Sequence, residues 1–277
     1  MRSLSDSMLS WVSDFAASPL FACSGGTTGC EVYHVLAPVL HEAGIWRSFE
    51  AYAGVVHDHI VAVLLEQDFA DLLVAGIASE SSAEALLATT RLFGPRVRTT
   101  FVDRCATPLN RIRAALERSD GCVRVVRSDL MDDVDTSDLG RFDIVVADAF
   151  VQQFPIGAKA DVLRALRCRL ADGDGRMLVR EYVGVLSQLL ARSVARPRAA
   201  QAAKRPADSV WPAVQDKVLE STAALNSYLA ATGSLYASRL DFLDDAAACG
   251  LRVVDEYANP ADVDRIFVLQ DAPQDMP

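Results

Sequence analysis

The sequence predicts an α/β protein with a doubly wound, mostly parallel sheet, a helical N-terminal region and a helical insert. Three observations lead there. Short apolar runs alternate with amphipathic stretches of helical spacing from Leu72 to Tyr182, which is the pattern of parallel strands joined by crossover helices. Acidic residues follow three consecutive candidate strands. The 277 residues, 51% hydrophobic and 23% charged, suffice for one large core with elaborations.

The strands come first. Leu72 to Gly76 (LLVAG), Val97 to Val102, Val123 to Val126, Phe142 to Ala147 (FDIVVA) and Arg176 to Tyr182 are runs of strand length rich in Val, Ile and Leu. Between them, Ser81 to Phe93, Pro108 to Arg118 and Ala158 to Leu170 repeat apolar residues at helical spacing, the last closed by Asp172-Gly173-Asp174-Gly175. Arg239 to Cys249 reads as a helix ended by Gly250, Leu251 to Tyr257 as a strand, and Arg265 to Leu269 as a last strand, expected to run antiparallel.

Two segments fall outside the alternation. Residues 1–70 are expected to be helical, over Glu31 to His41 and Trp46 to Gln67, with an aromatic start around Trp11 and Phe15. This region reads as a lid or interface, and its aromatic start points to a homodimer. Residues 71–277 form the α/β domain, with an Ala- and Arg-rich insert over about 184–235 that carries Pro197, Pro206, Trp211 and Pro212. An insert beyond a strand's carboxyl end commonly shapes a substrate pocket.

Charge and cysteine usage narrow the function classes. A formal net charge of −10 opposes a phosphate backbone, so a nucleic acid partner is not expected despite the short basic run from Arg192 to Arg205. The six cysteines lack a C-x-x-C pair and suit reduced thiols of a cytoplasmic protein. No apolar run reaches membrane-spanning length. His57 and His59 lie two apart on a candidate helix and point to different sides, so no metal is expected.

In an open α/β sheet, ligands bind beyond the carboxyl ends of the strands. After the first strand stands Gly76-Ile77-Ala78-Ser79-Glu80-Ser81-Ser82, small residues opening a helix whose free amides favour an electron-rich group. An ordinary turn with a serine N-cap fits the same residues. Asp103 follows the second strand, placed to accept hydrogen bonds from two ribose hydroxyls or to cap a helix. Asp129 follows the third strand and Asp148 the fourth. One such aspartate is a common turn residue, whereas three facing one crevice indicate a site.

The order Val74-Ala75-Gly76-Ile77-Ala78, Phe101-Val102-Asp103, Arg127-Ser128-Asp129-Leu130 and Phe142 to Asp148 resembles class I S-adenosylmethionine-dependent methyltransferases of the small-molecule type. So do Val162 to Leu178 and Leu240 to Leu251, and Tyr33 to Pro38 is similar to a Tyr-containing segment that many members carry before the domain. The chain departs from the family in its first loop, where Gly76 alone remains of the usual glycines.

The resemblance implies a Rossmann-like fold that binds S-adenosylmethionine and releases S-adenosylhomocysteine. It implies that Gly76, Ala78 and Ser79 lie against the methionine part, Asp103 with Arg104 at the ribose, Asp129 and Leu130 at the adenine, and Asp148 with Ala149 near the sulfonium. Tyr33, His34 and Asp148 are the candidates for acceptor orientation and proton removal, alongside His57 and His59. A small-molecule oxygen, nitrogen or carbon is the implied acceptor. A same-fold enzyme using the cofactor differently and a non-catalytic relative are the alternatives.

Overall fold

A computed structural model describes residues 52–76, 80–116, 122–132, 136–183, 235–258 and 264–273. The helices expected before residue 52, the insert over 184–234, and Tyr33, His34, Ala78 and Ser79 lie outside the described residues.

Within them the alternation holds. Helix α1 (Ala53–Glu66) precedes β1 (Ala70–Ala75), α2 (Glu80–Arg91), β2 (Val97–Asp103), α3 (Ala106–Leu116), β3 (Val123–Arg127) and β4 (Ile144–Asp148). Then follow α4 (Lys159–Arg167), β5 (Arg176–Tyr182), α5 (Arg239–Ala248), β6 (Leu251–Ala258) and β7 (Asp264–Asp271). The seven strands are ordered β3-β2-β1-β4-β5-β7-β6. β1 to β5 pair in parallel, and β7 runs antiparallel to both β5 and β6. The expectation of a mostly parallel, doubly wound sheet with an antiparallel last strand is met.

Each element forms for a local reason. Every residue of β4 is buried, because a central parallel strand is covered on both faces. In α4, residues Lys159, Val162, Leu163 and Leu166 follow the 3-4 spacing of one helical face, and all four are buried. Helix α5 starts at a capping box in which Ser238 Oγ accepts the Asp241 N–H while Asp241 Oδ2 accepts the Ser238 N–H.

The two sheet faces carry separate cores. On one, α1, α2 and α3 bury Val56, Ile60, Leu86 and Leu109 against Leu72, Val74, Phe101 and Val146. On the other, α4 and α5 bury Leu163, Leu166 and Phe242 against Val145, Val179 and Phe267. Right-handed crossovers produce this split, since the chain leaves β1 toward β2 and β3 in one direction and winds toward β5 in the other. The reversal falls between β1 and β4, where an open sheet parts at its carboxyl edge. No described helix is long and apolar enough to cross a membrane.

Candidate cofactor site

The strand registers align the acidic positions in one row. Ala75 pairs with Val102 on one side and Ala147 on the other, and Val102 pairs with Val126. The next residue of each strand therefore falls in a single line across the carboxyl edge, Arg127–Asp103–Gly76–Asp148–Arg180, as the pairs Asp103–Arg127 and Asp148–Arg180 confirm. The pleat puts alternate residues on one face, so this row shares the side of Phe101 and Val146, under α1 to α3.

Gly76 sits at the reversal point with φ +64° and its N–H donated to the Val102 carbonyl at 3.0 Å. Two features favour glycine here. The left-handed backbone disfavours a side chain, and an added Cβ would stand 2.4 Å from Cδ2 of Phe150. That ring, two residues past β4, spans from β4 to the end of β1.

The turn beyond β4 is unusual in its own right. Ala149 is the one described non-glycine residue with positive φ, at 53°, a conformation that costs roughly 1 kcal/mol for such a residue. Phe150 meets Phe154 edge-on at 5.3 Å, and Gln153 Nε2 donates to the Ala149 carbonyl at 3.0 Å. Gln152, wholly buried, has no hydrogen-bond partner for either amide atom among the described residues.

Asp103 is half-buried, and its Oδ1 accepts the Cys105 N–H at 2.7 Å just before α3. This bond closes a turn two residues long ahead of α3 and fixes the carboxylate at the strand end; it is not made to an amide of the helix itself. Asp129 does the same after β3, accepting the Met131 N–H at 3.0 Å, with Leu130 buried beside it and Arg104 exposed. Asp148 is buried and forms an ion pair with the equally buried Arg180, Oδ1 to Nε 2.6 Å. The Arg180 guanidinium lies 5.6 Å from the Tyr52 ring and 6.0 Å from the Tyr182 ring. So Asp148 and Ala149 reach the crevice edge, but Asp148 does so as half of an ion pair.

The two described histidines stand elsewhere. His59 contacts Arg176 at the start of β5, Nδ1 to Nη1 3.1 Å, and the Tyr257 ring; His57 contacts Asp58 and the Phe93 ring. They point apart, as their spacing implies, and away from the carboxyl edge. Burial, followed by the Arg176 charge, holds the His59 pKa below its ordinary value.

A second ionic group was not expected from the sequence. On the opposite face, Lys159 Nζ lies 3.1 Å from Glu181 Oε1 with both side chains fully buried. Lys159 also lies 4.2 Å from the Tyr236 ring centroid, and the Tyr236 hydroxyl donates to Asp245 Oδ2 at 2.8 Å. Burial pushes the Glu181 carboxyl up to about 7 against the pull of Lys159, and burial lowers the Lys159 ammonium. Tyr236 forms a bridge to Val183, so this cluster ties together the two ends of the insert. The sequence did carry a signal, since Lys159 occupies the apolar face of α4 and Glu181 the inward parity of β5.

Comparison with known proteins places the fold. No protein-family model matches the chain, and a search of curated proteins finds no relative. Among solved structures, an O-methyltransferase family protein from Burkholderia thailandensis matches 82% of this chain and 58% of its own, with 13% identity and a TM-score of 0.51. The mitomycin 7-O-methyltransferase MmcR matches 96% of this chain and 72% of its own, with 16% identity and a TM-score of 0.50. A Rhodobacter sphaeroides protein described as a Zn-dependent alcohol dehydrogenase matches 76% and 87%, with 16% identity and a TM-score of 0.50. The chain spans 44%, 51% and 56% of the length of three further structures. The fold is the Rossmann-like fold of class I methyltransferases.

Proposed function

We propose that this chain is an S-adenosylmethionine-dependent methyltransferase acting on an oxygen, nitrogen or carbon of a small molecule. The observation that carries the proposal is the row Asp103–Gly76–Asp148 across the strand reversal. The residues fit the group. A half-buried carboxylate suits a pair of ribose hydroxyls, and a side-chain-free backbone suits close approach.

Asp103, with Arg104 beside it, would hold the ribose, Asp129 and Leu130 the adenine, and Gly76 with Ala78 and Ser79 the methionine part. The cofactor supplies an electrophilic methyl group. The chain's part is to align the acceptor with it and to exclude water. Asp148, neutralised by Arg180, is suited to fixing the edge and less suited to taking a proton. Tyr33 and His34 are the proposed orienting and proton-accepting groups where the acceptor must be deprotonated.

The net charge of −10 supports a small-molecule acceptor over a nucleic acid. Cys105, Cys122, Cys168 and Cys249 are free thiols, in keeping with a cytoplasmic protein. A homodimer built on the N-terminal region completes the proposal. Titration calorimetry with S-adenosylhomocysteine tests the core of it: saturable heat with one site per chain is expected, and no heat at high micromolar protein contradicts it.

A further inference from the structure

We infer that Phe150 is a gate on the strand-reversal crevice, closed in this structure, and that the methionine part of the cofactor reaches Gly76 only when the ring swings away. This rests on the cofactor reading above and adds a moving part to it. The ring contacts the glycine of the strand-end row: the place of an absent Gly76 Cβ is 2.4 Å from Cδ2 and 3.2 Å from Cγ of Phe150. A ligand pressing on that backbone and the ring compete for the same volume.

The turn that carries the ring is built to give way. Ala149 holds the left-handed conformation that a side chain resists, at φ 53°. Two residues past Phe150, the buried Gln152 amide lacks a partner among the described residues, an arrangement that costs free energy wherever water is excluded. Both costs belong to the turn in this conformation. Holding it shut are the edge-on contact with Phe154, the Gln153 bond to the Ala149 carbonyl and the Ala149 N–H bond to the Arg180 carbonyl at 3.3 Å. Ring and turn thus have opposing preferences, as a two-state element requires.

The apparent affinity of a ligand falls by the fraction of molecules open to it. A ring closed in about nine molecules of ten weakens binding about tenfold. Phe150→Ala removes the obstruction, and Phe154→Leu loosens its latch while leaving the ring in place.

Stopped-flow association and calorimetry with S-adenosylhomocysteine, on the full chain and both variants, test the gate. Expected are association about tenfold faster for Phe150→Ala, tighter equilibrium binding, and an intermediate gain for Phe154→Leu. Binding by the unaltered chain with an equal or lower rate and affinity for Phe150→Ala overturns the gate alone. The ring is then a wall of the site. Failure of all three proteins to bind, with thermal melts showing them folded, overturns the cofactor reading and the gate together.

Discussion

Lys159→Met is expected to lower the free energy of unfolding by about 3–5 kcal/mol near pH 8, because it leaves the Glu181 carboxylate buried without its counter-ion. The same size of loss is expected for Glu181→Gln, which strands the ammonium instead. The double variant Lys159→Met/Glu181→Leu should return to within about 1–2 kcal/mol of the parent, since two apolar groups of similar volume leave nothing charged in the core. Urea denaturation of the four proteins reads this directly, and single variants within about 1 kcal/mol of the parent would contradict the pairing.

The pH dependence separates the two single variants. Glu181 has its folded pKa raised from 4.5 to about 7, so its favourable contribution is present below 4.5 and lost as pH rises through about 7. Without Lys159 the carboxyl rises further, and the Lys159→Met deficit should grow from pH 5.5 to pH 8. Lys159 has its folded pKa lowered by burial. The Glu181→Gln deficit should therefore shrink as pH climbs toward the ordinary lysine range, where the buried amine sheds its proton.

Asp103→Ala should weaken S-adenosylhomocysteine binding by about a hundredfold. Two hydrogen bonds to a charged acceptor contribute about 1.5–3 kcal/mol each, discounted here because a half-buried carboxylate regains water when empty. Asp103→Asn keeps an oxygen for the Cys105 N–H and loses the charge, so a drop of about tenfold is expected. Calorimetry distinguishes the roles. Equal affinity in all three proteins would show that Asp103 serves the turn before α3 and nothing else.

The sheet was legible because its strands are buried on both faces and so write themselves as unbroken Val, Ile and Leu runs, Ile144 to Ala147 among them. Helix α4 was legible from spacing. The row of strand-end residues was half legible. Asp103, Asp129 and Asp148 could be listed in order along the chain, but only the register between neighbouring strands brings Asp103, Gly76 and Asp148 into one line.

Partners distant in sequence were not legible for the same reason. Asp148 and Arg180 are 32 positions apart along the chain, and their ion pair follows from β4 lying beside β5. Lys159 opens a helix at a position where a lysine normally reaches solvent, yet it is buried there beside Glu181 of β5. Phe150 read as one more apolar residue after a strand. Its contact with Gly76 depends on an alanine in a conformation that composition does not announce.

The central claim is that the carboxyl edge between β1 and β4 holds the methyl donor. A crystal structure grown with saturating S-adenosylhomocysteine tests it most directly. The account predicts density along that edge with the ribose hydroxyls on Asp103 and the methionine part over Gly76. An empty edge at saturating ligand, or a nucleotide seated away from the ends of β1 and β2, would contradict it.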